Sequence, residues 1–287
     1  MFASISDYFA LTKPRVTLMV LITTLFGFYL GSRGPLEVAL LLHTLWGTAL
    51  VAGGTSALNQ YLERHRDARM LRTRHRPLPA GRLTPTQALG FGVFISVVGI
   101  AYLAFWVNGL TAVLAAVTLV SYVFLYTPMK TKSPLSTVVG AIPGALPPMG
   151  GWTAVRNDLG LEAWVLFAIL FIWQLPHFLA IAWIYRDDYA RGGFRMLTVI
   201  DPEGYSAARQ ILTNCLALLS VSLLPTLIGL TGRAYFFGAL VLGIGFLGVG
   251  LSVTFARNVA AARRLMRASL IYLPALLSMM AWDKTAF

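Results

Sequence analysis

Asn59-Gln60-Tyr61-Leu62-Glu63-Arg64-His65-Arg66-Asp67-Ala68-Arg69-Met70-Leu71-Arg72-Thr73-Arg74-His75-Arg76-Pro77 follows directly on a long apolar segment. Asn59, Glu63 and Asp67 stand four apart, so on a helix they drift only about 40° per step and share one face. An oxygen-rich stripe where a membrane helix leaves the bilayer, followed at once by arginines, suits a magnesium-bound diphosphate. Mg²⁺ takes hard oxygen ligands and shares them with phosphate oxygens, and Arg grips the same oxygens in a bidentate way. The stretch points to an intramembrane enzyme that handles a diphosphate.

The surrounding chain fits that setting. It is 57% hydrophobic and 12% charged, outside the range of soluble domains. A spanning helix needs roughly 20 apolar residues, and on that basis nine spans are expected: 14–31, 36–62, 86–105, 110–126, 134–152, 162–184, 206–230, 234–256 and 268–282. Nine spans put the termini on opposite sides, and 19 of the 23 basic residues then share one side. The other side keeps Arg33, Arg156, Arg233 and Lys284. The positive-inside rule makes the basic side cytoplasmic, with the N-terminus inside and the C-terminus outside. The net charge of +12 thus reads as topology rather than as nucleic-acid binding. Residues 1–287 read as a single membrane domain, with no room for a cleavable signal before the first span, and a bacterial plasma membrane is the simplest address. The one cysteine, Cys215, excludes a disulfide framework and a Cys-based metal site.

Two longer loops, 63–85 and 185–205, hold six of the eleven acidic residues: Glu63, Asp67, Asp187, Asp188, Asp201 and Glu203. Both follow the cytoplasmic end of a helix, which suggests one carboxylate cluster per half of a pseudo-symmetric site. Arg64, Arg66, Arg69 and Arg82, taken singly, read first as topology anchors, and Lys130 equally as a phosphate-neutralising group or as an anchor with Lys132. The stretch 140–152, rich in Gly and Pro, suits close helix packing. His177, just after Pro176, suits either a hydrogen-bonded packing role or metal and haem-iron ligation.

Asn59-xxx-Glu63-xxx-Asp67 with Met70, Arg72-Thr73 and Arg76-Pro77-Leu78-Pro79 resembles the first aspartate-rich motif of the intramembrane UbiA-type prenyltransferase superfamily. Its middle Glu is similar to the haem O synthase branch. Thr12-Lys13-Pro14-Arg15, Tyr126-Thr127-Pro128-Met129-Lys130, Gly144-Ala145-Leu146-Pro147-Pro148 with Trp152, and Trp173-Gln174-Leu175-Pro176-His177 with Asp188-Tyr189 fit the same branch in order. Two departures stand out. The second motif, commonly DxxxD, is here the adjacent pair Asp187-Asp188, and Ser136 stands where relatives often carry Asn.

The resemblance implies an all-α fold of nine transmembrane helices around a central cavity. It implies transfer of farnesyl from farnesyl diphosphate to the 2-vinyl group of haem B, with Mg²⁺ or a similar divalent cation as cofactor. The metal set it suggests is Asn59, Glu63, Asp67 and Asp188, with Asp187 beside them. Arg72, Arg76 and Lys130 would take the diphosphate, and His177 and Trp173 the haem. Membrane lipid, and a haem A synthase or terminal-oxidase assembly factor receiving the product, complete the expected partners; nucleic acid is not among them. The alternatives are a relative that prenylates an aromatic acid or a chlorophyll-type alcohol, and a transporter. Transporters place ionisable residues near the bilayer midplane, whereas here the acids gather at one face.

Overall fold

Among the described residues, 4–285 of this computed structural model, long helices form where the apolar runs lie. We label them α1 (Pro14–Gly31), α2 (Val38–Asp67), α3 (Pro85–Trp106), α4 (Gly109–Val120), α5 (Ser136–Arg156), α6 (Leu161–Ile184), α7 (Tyr205–Ser222), α8 (Arg233–Ala256) and α9 (Val259–Trp282). A π-helical turn, Ser121–Tyr126, and a last turn, Thr127–Met129, carry α4 on to Lys130. All but α5 are long and apolar enough to cross a bilayer, α4 by way of that continuation and α7 with the turn after it. Helix α5 is 21 residues long, but its glycines and three internal prolines dilute its hydropathy. It nevertheless runs alongside α1, with Pro148 against Gly27 and Trp152 against Gly31.

That pairing explains the small residues of the 140–152 stretch. A Cβ on Gly27 would lie 1.9 Å from Pro148 O, and one on Gly151 would lie 2.0 Å from Thr24 O. The two backbones touch, and only glycine permits it on either side. Helices α6 to α9 form the main core, with Leu166, Ile169, Ile211, Leu265 and Leu276 fully buried between them. Outward-facing Phe94, Phe105, Phe124, Phe237, Val241 and Phe255 are each more than 60% exposed. In water such apolar faces would aggregate; in a bilayer they meet lipid. The chain is an all-α, multi-pass membrane protein.

Several boundaries differ from the sequence expectation. Helix α2 does not stop at 62 but runs to Asp67, keeping the whole acidic stripe helical. Helix α9 starts at Val259 rather than at 268. Arg263, Arg264 and Arg267 look like a loop cluster in sequence, yet they lie on the exposed side while Ala261, Ala262 and Leu265 pack inward. Helix α7 ends at Ser222, and a separate turn, Leu224–Leu227, follows at Pro225. The start of α3 is as the sequence suggests: Thr84 and Gln87 form a capping box around Pro85.

At one end of the bundle, the approach to α1, the loop after α2, Lys130 and the loop after α6 come together. At the other end Lys284 donates to the carbonyls of Tyr29 and Ser32, which close α1.

Candidate active site at the loop-bearing end

The last two turns of α2 present Asn59, Glu63 and Asp67 on its buried face, with exposures of 1%, 6% and 0%. Each is met by a cation. Lys13 Nζ donates to Asn59 Oδ1 at 2.8 Å, Lys130 Nζ to Glu63 Oε1 at 2.7 Å, and Arg76 to Asp67 Oδ2 at 2.7 Å. The Asn59 amide is oriented from its other end, where Nδ2 donates to Thr127 Oγ1 at 3.1 Å. The Thr127 hydroxyl in turn donates to Tyr122 O within the π-helical turn at 2.8 Å. A π-turn in an otherwise α-helical segment is a frequent mark of a working site. This one places Tyr126 under Lys130, whose ammonium lies 4.4 Å from the ring centre. Gly140 makes room for that ring, since a Cβ there would lie 2.5 Å from it.

The cations are held in distinct states. Burial alone would lower the Lys130 pKa, but the Glu63 carboxylate beside it outweighs burial and keeps the ammonium protonated well above its ordinary range. Lys13 has no carboxylate in contact. Burial, then the Arg76 charge, push it down to about 7, against the pull of Glu63. Its backbone sits in the left-handed region at φ 48°, an uncommon place for a side chain other than glycine. Strain of this kind gathers at functional sites, where surrounding structure imposes it. Lys13 lies in the TKPR stretch but is absent from the ligands expected from sequence. The signal that could have found it is a lysine immediately before Pro14, at the mouth of the first span.

The second loop joins the first through Asp188. Its Oδ1 accepts from Leu71 N at 3.0 Å and its Oδ2 from Arg72 N at 3.2 Å, and Arg191 closes an ion pair on the same carboxylate. Burial works to raise the Asp188 pKa, yet these donors together hold it below the ordinary carboxylate range. Met70, Ala182, Phe194 and Met196 pack into a small apolar cluster across the same junction. Asp188 is therefore a strut between the two loops. Asp187 is turned away: its side chain is 82% exposed and its nearest cation is Arg186 at 3.7 Å. The pair expected to act together is split. Arg72 also stands apart from the α2 stripe, stacked 4.9 Å over the Tyr185 ring. Arg64 stacks on Tyr61 and Arg82 holds Asp7 at 2.7 Å, as anchors would. His177 and Trp173 lie on the α6–α9 seam, both bonded to Ser269.

One atom tests whether a hard cation fits. Asp67 Oδ1 is buried and, among the described residues, has no hydrogen-bond partner, which is costly for a carboxylate oxygen unless a cation meets it. Glu63 and Asn59 lie on the same helical face, one and two turns away. No group of three His, Cys, Asp or Glu side chains converges as a ready-made metal cluster among the described residues. The donor set is thus short of a full protein cage, as suits Mg²⁺, which is bound through one or two carboxylates plus phosphate oxygens.

The UbiA prenyltransferase family model matches residues 20–273. The chain is 48% identical to "Protoheme IX farnesyltransferase" of Solibacter usitatus, covering 97% of this chain and 98% of that one. It is 46% identical to the protein of the same name from Koribacter versatilis, over 97% and 93%, and 40% identical to that of Aquifex aeolicus, over 97% and 95%. Among solved structures, a digeranylgeranylglyceryl phosphate synthase superposes with a TM-score of 0.79 at 14% identity, over 97% of both chains. A UbiA homologue from Archaeoglobus fulgidus bound to GPP and Mg²⁺ superposes with a TM-score of 0.68 at 14% identity, over 96% of this chain and 99% of that one. These structures share its fold. By the length and identity of these matches, the chain belongs to the UbiA prenyltransferase family, among its protoheme IX farnesyltransferases.

Proposed function

We propose that the buried face of α2 and the two loops beside it ionise farnesyl diphosphate and deliver the farnesyl group to the 2-vinyl group of haem B, making haem O. The observation that carries this reading is the unpartnered, buried Asp67 Oδ1, in line with Glu63 and Asn59 and surrounded by Lys13, Lys130 and Arg76. Magnesium, when bound there, would supply Lewis-acid neutralisation of the diphosphate. Asn59, Glu63 and Asp67 would hold it from the α2 side. Asp188 would add its remaining lone pairs from the other loop while keeping the loops together.

The residues of this chain then divide the work. Lys13, Lys130 and Arg76 turn from their carboxylate and amide partners toward diphosphate oxygens as charge grows on the leaving group. Arg72 guards the mouth from its seat on Tyr185. The allylic C–O bond breaks with its electron pair on the diphosphate. The vinyl π electrons form the new C–C bond, and water supplies a hydroxyl to the resulting cation as a proton leaves. Below the cations, Tyr126, Phe178, Ile181, Tyr189 and Met196 line a small cavity whose aromatic faces suit a carbocation and whose walls exclude early water.

The positive-inside rule supports reading this mouth as cytoplasmic, in a bacterial plasma membrane. A haem A synthase or a terminal-oxidase assembly factor would receive the product. The test is an assay of the purified protein with farnesyl diphosphate, haem B and Mg²⁺, read by porphyrin mass after chromatography. Magnesium-dependent gain of a farnesyl and a hydroxyl is expected. Diphosphate release only with a different acceptor would discard haem as substrate.

A further inference from the structure

His177 offers two nitrogens, and among the described residues hydrogen-bond contacts occupy one. Its Nδ1 lies 2.7 Å from Ser269 Oγ. The Ser269 hydroxyl has a single proton, donated to Met266 O at 2.7 Å. It therefore meets the imidazole as an acceptor. That puts the ring proton on Nδ1 and the lone pair on Nε2. Trp173, one turn earlier on α6, stacks on the imidazole with centroids 5.0 Å apart and planes 15° from parallel. Its indole N–H donates to Ser269 O at 3.0 Å. One residue of α9 thus fixes the tautomer of His177 and the position of the ring stacked upon it.

Among the described residues Nε2 has no hydrogen-bond donor facing it. His177 is half-buried and stands seven residues before the end of α6, about 10 Å into the bundle at 1.5 Å per residue. A lone pair oriented and unpartnered at that depth is what a metal-binding imidazole needs. The second nitrogen is tied to an acceptor as outer-shell partners of such ligands are. No group of three His, Cys, Asp or Glu side chains gathers here among the described residues, so a free metal ion would find too few ligands. An iron that brings four nitrogens of its own needs just one.

We infer that Nε2 of His177 is an axial ligand to the iron of the acceptor, a haem, and that Ser269 is the positioning residue behind it. This rests on the reading of haem B as acceptor. The iron takes no part in the transfer. Its ligation fixes the macrocycle against α6 and leaves the periphery, where the vinyl groups lie, free to face the prenyl donor. The packing and ligand roles that the sequence leaves open for His177 are thus divided between its two nitrogens.

The test uses full-length protein in detergent, ferric haem B as probe, and absorption with electron paramagnetic resonance as readout. Wild type is expected to give an imidazole-ligated spectrum. His177→Gly should lose it and recover it on adding imidazole, while binding Mg²⁺ and farnesyl diphosphate as wild type does, which shows an intact fold. Ser269→Ala should keep the ligation type but weaken haem affinity about 10-fold or more, as loss of outer-shell partners does. An unchanged spectrum in His177→Gly, or no haem binding by wild type, would overturn the inference. If wild type still makes farnesylated haem in the first case, the ligand assignment fails alone. If it transfers farnesyl only to another acceptor, the reading of haem as substrate fails with it.

Discussion

Asp67→Asn probes the site most sharply, because it keeps the volume of the side chain and removes one charge. In wild type, Asp67 Oδ2 binds Arg76 at 2.7 Å while Oδ1 has no partner. Removing one member of a fully buried ion pair costs about 3–5 kcal/mol. Arg76, however, keeps 26% side-chain exposure and can rehydrate, which brings the cost to the resting protein toward about 1 kcal/mol. The reacting complex has no such relief, since the atom proposed to meet the metal is enclosed. A loss of about 4 kcal/mol there is about a thousandfold in rate. Initial rates of farnesyl transfer to haem B, with a magnesium titration and thermal melts in detergent, separate the two effects. The expected result is a thousandfold fall in kcat/KM with a small change in melting temperature. Asp187→Asn is the control: with its side chain 82% exposed, it should stay within about twofold of wild type. Asp67→Asn at more than a tenth of wild-type rate, or Asp187→Asn as the more damaging change, would refute the assignment.

Other outcomes follow from the same contacts. Gly140→Ala drives a methyl to 2.5 Å from the Tyr126 ring, and overpacking of this kind costs about 1–3 kcal/mol; melting temperature and rate should fall together, because Tyr126 underlies Lys130. Lys13→Met should raise the KM for farnesyl diphosphate at least tenfold with little change in melting temperature, and an unchanged KM would remove Lys13 from the diphosphate. Calorimetry should find Mg²⁺ binding weak without diphosphate and strong with it, since Lys13, Lys130 and Arg76 oppose a lone cation; equal affinities would contradict the exchange of partners proposed for them. The Asp188 pKa is depressed in the folded protein, so its strut should be fully present above the ordinary aspartate value of about 3.9 and lost as pH falls through the lower folded value. Protease protection of the 185–204 loop should accordingly hold from pH 7 to about 4, and Asp188→Ala should remove it throughout. Loss of protection between pH 7 and 5 in wild type would contradict the strut.

The helices were legible because each spans a bilayer and must therefore be an apolar run of fixed minimum length. Where an apolar run was the wrong guide, side-chain reach explains it. The arginines of α9 hide a helical turn whose alanines and Leu265 pack inward, and Glu63 to Asp67 extend α2 past its last apolar residue, Leu62. The acidic stripe could be read from spacing, since helical periodicity alone places Asn59, Glu63 and Asp67 together. Nothing in the sequence separates Asp187 from Asp188. That depends on which of them meets the amides of Leu71 and Arg72, 117 and 116 residues away from Asp188 in sequence. Lys13 was hidden for the same reason, because its contact with Asn59 crosses from one helix to another.

The α2 stripe is proposed to hold a divalent cation together with the diphosphate. The most direct measurement is a crystal structure of the protein with Mn²⁺ in place of Mg²⁺ and a non-cleavable farnesyl diphosphate analogue, with anomalous scattering locating the metal. The expected peak lies about 2.0–2.3 Å from Asp67 Oδ1, with Glu63 or Asn59 in the same shell and Lys130 and Arg76 turned onto diphosphate oxygens. A peak held by Asp187, or by phosphate oxygens alone with Asp67 still on Arg76, would contradict it.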